Sequence, residues 1–278
     1  MSISPSGDRI YGFTKFVAAL LGIVVFFAFI VLYFFPTRTK QLFAWPIAPP
    51  MTAMFMGASY ANGAIFFSAV LLGKKWHRVW APHIGVFMFA TLLLIATILH
   101  WDRFNHAHPV FYIWVFIYAV APILTPWALI RNLKEDPNVP DERDAVVPLG
   151  LRIAWLIPGI LFLGAALYAF VNPAWLIPHW PWKATPLTMR VIVSFYSMLG
   201  VAVFAVVREP RWSAWRVGAI GVIVWRALIL VAALRRQGDF KGGLFHGWWF
   251  PFELALLIGA VLTFVVMESR VARSTSIP

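Results

Sequence analysis

Cysteine is absent from the 278-residue sequence, which excludes disulfide bonds, thiolate metal sites and cysteine nucleophiles. Charged residues are scarce as well, at 12% of the chain, whereas hydrophobic residues make up 61%. This balance leaves too little polar surface to cover a soluble globule of this length. The composition therefore predicts an integral membrane protein.

Motifs of several enzyme classes are also missing. The sequence contains no Gly-x-Ser-x-Gly motif of serine hydrolases. It has neither a phosphate-binding loop nor a dinucleotide-binding glycine motif. The serines on hydrophobic segments, such as Ser59, Ser68 and Ser194, have no histidine near them in sequence. Nothing indicates ATP-driven work, and an enzyme is the less favoured interpretation.

Long apolar segments fill most of the chain. A bilayer core of ~30 Å requires about 20 apolar residues per helix, and the backbone of each span must satisfy its own hydrogen bonds. Alternating patterns typical of strands are absent. We therefore predict an all-α integral membrane protein with about eight transmembrane helices. The predicted spans are residues 11–35, 50–73, 81–101, 109–131, 149–171, 186–208, 213–234 and 246–268.

The two halves of the sequence resemble each other at a nearly constant offset of 135 to 137 residues. Matching pairs are Trp45 and Trp180, Trp76 and Trp212, Gly85 and Gly221, and Asp102 and Asp239. The pattern predicts two parallel four-helix repeats, at residues 1–135 and 149–278, joined by a cytoplasmic linker at residues 136–148. Because each repeat has an even number of spans, their pseudo-twofold axis should run along the membrane normal.

Basic residues outnumber acidic ones, at 23 against 11, and give a net charge of +12. Fourteen of the Lys and Arg residues in the predicted loops and ends lie on the side of the N-terminus, and seven lie on the other side. This bias predicts a multi-pass protein of the cell (inner) membrane with both termini in the cytoplasm. The expected partners are membrane lipids, whose anionic headgroups attract the basic loops, and not nucleic acid.

Three histidines and a carboxylate lie within nine residues at the connection of the third and fourth spans. These are His100, Asp102, His106 and His108. Imidazole and carboxylate groups can bind copper, iron or zinc, so the loop is a candidate metal site. The alternative is a wet surface loop in which the histidines cap helix ends and Asp102 pairs with the arginine beside it. The matching loop of the second half keeps only the carboxylate and one histidine, which weakens the metal interpretation.

A haem or pigment site is disfavoured. A haem bound across a helix bundle requires histidines within the helices, near the middle of the membrane. All seven histidines fall in predicted loops or at helix ends. The 15 tryptophans and 25 phenylalanines are expected at membrane interfaces and lipid-facing surfaces, without any pigment.

Three ionisable residues interrupt the predicted spans: Arg190, Arg226 and Glu253. Each costs ~2.5–3.5 kcal/mol or more to insert, so each is a candidate functional residue. Counting ~1.5 Å per residue places all three in the outer leaflet, at depths of about 6, 12 and 10 Å. An Arg-Glu-Arg cluster would leave one guanidinium charge free to bind a small anion or a lipid headgroup. The alternative is a structural ion pair, with the remaining arginine extended toward the interface.

Three functions are compatible with these features. The first is binding or transport of a small anion or lipid headgroup in an outer-leaflet polar pocket, carried by Arg190, Arg226 and Glu253. The second is a non-catalytic subunit of a larger respiratory or photosynthetic membrane complex. The third is a metal-dependent membrane enzyme that uses the loop from His100 to His108. Charged groups inside the membrane demand an explanation, and they favour the first.

Overall fold

The computed structural model describes residues 7–136, 138 and 140–274. Over these residues the chain is helical, without named strands, and eight of its helices are long and apolar enough to cross a membrane. The predicted all-α membrane protein with eight spans is confirmed. The helices are α1 (Gly12–Phe34), α2 (Thr39–Leu42), α3 (Pro50–Leu72), α4 (Pro82–Leu99), α5 (Pro109–Asn132), α6 (Leu149–Val171), α7 (Pro173–Leu176), α8 (Pro186–Val207), α9 (Trp212–Arg235) and α10 (Trp249–Ser274).

Proline marks the beginning of many of these helices. Helices α3, α4, α5 and α8 each begin with a proline at the first position. Proline suits this position because its missing N–H would have no partner within the helix and its φ angle is already helical. Helix α8 also has a capping box, in which Thr185 and Thr188 each bond the backbone N–H of the other. The ends of the spans are therefore encoded locally.

The long helices form an inner and an outer group. In α3 and α8, 56% of the residues in the most apolar window are buried, compared with 22% in α6 and α10. Large apolar side chains on the outer helices are exposed, among them Phe27, Ile123 and Leu161. In a bilayer these side chains meet lipid tails, so their exposure is compatible with a stable membrane fold.

The pairing of the long helices has the same pattern in both halves. Helix α1 packs on α3 as α6 packs on α8, and α4 packs on α5 as α9 packs on α10. Across the centre, α4 contacts α8 and α3 contacts α9. Two parallel four-helix units around a central axis would produce this pattern. The repeat, with its boundaries at residues 1–135, 136–148 and 149–278, remains a prediction.

The end of the bundle that holds Asp136, Asp141 and Asp144 is named the linker face, and the other end the opposite face. Salt bridges fasten the linker here: Arg211 contacts Asp136 at 2.6 Å, and Arg78 contacts Asp141 at 2.5 Å. Burial alone would raise the pKa of Asp136 and of Asp141. Hydrogen bonds and positive charge outweigh it and hold both pKa values below their ordinary value. The linker face is therefore held together by ionised carboxylates.

Candidate functional site

A buried ion pair lies between α9 and α10, in a part of the protein that lipid surrounds. Arg226 Nη1 donates to Glu253 Oε2 at 2.6 Å, and both side chains have no exposed surface. The other carboxylate oxygen, Oε1, accepts a hydrogen bond of 2.5 Å from the Tyr196 hydroxyl on α8. Trp249 Nε1 in turn donates to the Tyr196 hydroxyl oxygen at 3.2 Å. Three helices thus converge on one carboxylate.

Aromatic rings enclose the guanidinium of Arg226. Its central carbon lies 3.8 Å from the ring centroid of Trp225 and 5.4 Å from that of Tyr196. Aromatic faces attract cations, more strongly where water is excluded. The rings therefore stabilise the positive charge and keep this part of the bundle dry.

Two nitrogen atoms of the Arg226 guanidinium have no hydrogen-bond acceptor among the described residues. Its Nε and Nη2 atoms are buried, and none of the described residues offers them a hydrogen-bond partner. These two nitrogens form the side edge of the guanidinium, whose N–H bonds point in the same direction. That edge matches two oxygens of a carboxylate or phosphate. The ion pair thus leaves one bidentate donor surface of Arg226 unused.

Arg190 lies outside this cluster. Its Nε donates to the Phe170 carbonyl at 2.9 Å, and its Nη1 donates to His100 Nε2 at 2.7 Å. Arg190 therefore donates a hydrogen bond to the last turn of α6, where the backbone carbonyls have no partner within the helix. Burial first, and then the positive charge of Arg190, lowers the pKa of His100. Of the three predicted ligand-binding residues, the structure brings together Arg226 and Glu253.

The three histidines of the loop from His100 to His108 each contact a different group. His106 Nε2 lies 2.9 Å from the Trp101 carbonyl, and His108 Nε2 lies 2.8 Å from the Gln41 carbonyl. Asp102 pairs with the neighbouring arginine at 3.2 Å, and the third histidine is the one bound by Arg190. In the described part of the chain, no three His, Asp or Glu side chains are grouped to hold a metal ion. The predicted ligand set for copper, iron or zinc is not assembled.

The first half carries an uncharged counterpart of the ion-pair cluster. At the offset of 135 to 136 residues, Tyr60 corresponds to Tyr196, Tyr118 to Glu253 and Ala90 to Arg226. The Tyr60 and Tyr118 hydroxyls lie 2.8 Å apart, as a neutral version of the Tyr196–Glu253 hydrogen bond. The same helix positions therefore hold polar pairs in both halves, and only the second half carries charge.

One polar cluster on the linker face does not follow from local sequence. His77 Nδ1 lies 2.6 Å from Asp8 Oδ2, and His77 Nε2 lies 3.1 Å from Ser213 Oγ. Ser213 lies in the predicted span 213–234 and has no histidine near it in sequence, because His77 is 136 residues away. The 136-residue offset relates His77 to Ser213 and Asp8 to Asp144, which is the signal that could have found the cluster.

This cluster differs from a serine hydrolase triad. Ser213 Oγ donates to Asp144 at 2.5 Å, whereas the serine of a triad directs its proton to the histidine. Asp8 and Asp144 also accept the backbone N–H groups of His77 and Ser213, at 3.0 and 2.9 Å. The two carboxylates therefore cap the helical turns that begin near His77 in the first half and near Ser213 in the second half. We interpret the cluster as a structural fastening of the two halves.

Comparison with known protein families, curated proteins and solved structures finds no match for this chain. A function therefore rests on the chain's own residues and their geometry. Among the described residues, Arg226 and Glu253 are the charged side chains with no exposed surface at all. They form the candidate site, with Tyr196, Trp225 and Trp249 around them.

Proposed function

We propose that this membrane protein binds or transports a small anion, or a lipid headgroup with the same oxyanion chemistry, at Arg226 and Glu253. The observation that carries the proposal is the side edge of Arg226, where Nε and Nη2 are buried without an acceptor. A carboxylate or phosphate group supplies two oxygens at the spacing of those two N–H bonds. Arg190, which bonds Phe170 and His100, has no part in this contact.

The energetics favour a ligand with negative charge. A buried donor left without a partner costs roughly 1–3 kcal/mol, and more when it belongs to a charged group. Hydrogen bonds to ionised acceptors are about twice as strong as those between neutral groups. Two such bonds therefore offset the penalty on Nε and Nη2 and leave a net gain for binding.

Charge balance makes a proton part of the binding event. Arg226 and Glu253 together are neutral, so a bound monoanion would leave one negative charge in a part of the protein that excludes water. An isolated charge in such surroundings is strongly unfavourable. If one proton enters with the anion, the site stays neutral. The proposal is therefore binding of an anion together with a proton.

The test uses the purified protein in phosphatidylcholine nanodiscs, with inorganic phosphate and acetate as probes. The thermal unfolding temperature is read from intrinsic tryptophan fluorescence, since Trp225 and Trp249 flank the site. We expect saturable stabilisation of the wild type and its loss in Arg226→Lys, which keeps the charge without the planar edge. Arg235→Lys is the matched control because Arg235 is exposed on the same helix.

Nanodiscs with phosphatidylglycerol separate the two sources of the oxyanion. If this anionic lipid stabilises the wild type and not Arg226→Lys, while the soluble probes have no effect, the ligand is a headgroup. If the soluble probes stabilise the protein in neutral lipid, the ligand is a free anion. Equal responses of the wild type and Arg226→Lys to every probe would refute the proposal.

A further inference from the structure

A cavity lies in the first half of the protein, between α1, α3 and α5. Its volume is about 230 Å³, and its lining is apolar apart from a few polar atoms. Its lining residues include Tyr60 and Tyr118, the neutral counterparts of Tyr196 and Glu253, whose hydroxyls lie 2.8 Å apart. The cavity therefore occupies the position in the first half that corresponds to the ion-pair cluster in the second.

The cavity faces lipid and extends inward to the tyrosine pair. Among its lining residues, Phe27 and Ile113 are 59% and 48% exposed, whereas Tyr60 and Tyr118 are 3% and 5% exposed. Toward the linker face α1 and α5 are joined, where Phe13 packs on a tryptophan ring of α5. A ligand can therefore reach the tyrosines sideways from the bilayer, past Phe27 and Ile113.

The tyrosine pair lies near the middle of the membrane. Tyr60 is ten residues and Tyr118 nine residues from the beginning of its helix at the opposite face. At 1.5 Å per residue, both lie about 15 Å from that face. This distance is half of the ~30 Å hydrocarbon core. Lipid headgroups and their ester groups are concentrated at the interface, so apolar tails surround the bundle at the depth of the pair.

One of the two tyrosine hydroxyl protons is not used in a hydrogen bond among the described residues. Two hydroxyls carry two protons, and the bond between Tyr60 and Tyr118 uses one of them. In the part of the chain that the structure describes, their hydrogen bond is to each other. The second O–H is therefore available to an acceptor at mid-membrane depth, where a neutral carbonyl fits and a charge does not, because Ala90 stands in place of an arginine.

Aromatic rings form the wall of the cavity beside the hydroxyls. The ring centroid of Trp114 lies 4.3 Å from that of Tyr118 and 5.6 Å from that of Phe43. Such walls favour a planar ring as the ligand. We infer that this cavity binds a lipid-soluble quinone, with one ring carbonyl accepting the free tyrosine proton and the apolar tail leaving between α1 and α5.

The test measures binding of decylubiquinone to the protein in phosphatidylcholine nanodiscs, as saturable quenching of tryptophan fluorescence. The variant Tyr60→Phe with Tyr118→Phe keeps both rings and removes both hydroxyls. We expect its affinity to fall about 2- to 10-fold, as for the loss of one hydrogen bond. Tyr112→Phe is the matched control because Tyr112 is 62% exposed on the same helix, and its affinity should equal that of the wild type.

A second variant tests the cavity itself without removing a polar group. Ala28→Phe places a ring among the lining residues of α1 and should abolish saturable quenching. Saturation that is the same in Ala28→Phe and the wild type would overturn the inference, as would quenching that never saturates. Native mass spectrometry of the purified protein shows directly which lipid is bound. A phospholipid that decylubiquinone does not displace would also overturn it.

Discussion

At the residue scale, two substitutions between the halves separate a charged site from a neutral one. The first half has Ala90 where the second half has Arg226, and Tyr118 where the second half has Glu253. A lone buried carboxylate or guanidinium is strongly destabilising, so the two charges must occur together. The Arg226–Glu253 pair places the side edge of a guanidinium in a buried site. A tyrosine pair has no such bidentate donor edge.

Replacement of Glu253 by Gln tests the role of the proton. The probe is methanesulfonate, whose charge is constant across the neutral pH range. In the wild type, uptake of one proton should tighten its binding by up to about tenfold for each unit by which pH falls. In Glu253→Gln the site keeps a net positive charge, so we expect binding at least as tight and independent of pH.

Isothermal titration at several pH values provides the measurement. Glu268→Gln is the matched control because Glu268 lies on the same helix and pairs with Arg216 on the linker face. This control should retain the pH dependence of the wild type. Wild-type binding that does not change with pH would contradict coupling of the anion to a proton.

At the element scale, close helix contacts depend on glycine. A Cβ atom added at Gly57 of α3 would lie 2.7 Å from the backbone nitrogen of Tyr33 on α1. A Cβ atom at Gly63, on the same helix, would meet only Val25 of α1, at 3.7 Å. The first position therefore sets how closely α1 approaches α3, because backbone atoms cannot move aside as a side chain can. The second position has room for a methyl group.

Alanine at these two glycines should have opposite effects on stability. Gly57→Ala forces α1 away from α3 and should lower the free energy of unfolding by about 1–3 kcal/mol. Gly63→Ala should be neutral or stabilise the protein by up to about 1 kcal/mol, since alanine is the better helix former. Unfolding in mixed detergent and dodecyl sulfate measures both. Equal losses would show that packing against Tyr33 is not the cause.

At the scale of the whole molecule, the linker face ties the two halves together through charge. Asp141 bonds Lys75 and Arg78, and Arg211 bonds Asp136 and Glu209. Hydrogen bonds to Glu209 first, and then those to Asp136, raise the pKa of Arg211 against the effect of burial. Elsewhere the spans expose many large apolar side chains, as lipid requires. Membership of a larger respiratory or photosynthetic complex stays a prediction, as does the cytoplasmic position of this face.

Acid should loosen the linker face. The folded-state pKa values of Asp136 and Asp141 lie below their ordinary value of 3.8. Their contribution to stability is complete above that value and is lost as pH falls through the lower folded-state values. We expect the thermal unfolding temperature to fall steeply below about pH 4. Asp141→Asn should lower it at neutral pH and weaken the acid response.

Glu142→Gln is the control for this prediction because Glu142 is exposed beside Asp141. It should follow the wild-type pH curve. Calorimetry of the detergent-solubilised protein gives the unfolding temperatures. An acid response that is unchanged in Asp141→Asn would assign the pH dependence to groups away from the linker face.

The spans could be predicted from sequence because their cause is local. An apolar run of sufficient length must form a helix in lipid, since no water is present to bond its backbone. The predicted spans 11–35 and 186–208 accordingly match α1 and α8 closely. The eighth span differs most, since α10 begins three residues later than predicted and continues to Ser274. A helix that leaves the membrane can continue through polar residues, because water solvates their side chains.

The sequence by itself determined the helical membrane class, the number of spans and the rarity of charge within them. Only the tertiary structure decided which charges meet. Arg226 and Glu253 pair across α9 and α10, whereas Arg190 turns to Phe170 and His100. Depth along a helix can be counted from sequence. The direction of a side chain depends on how each helix is rotated against its neighbours, and that rotation is set by packing between residues far apart in the chain.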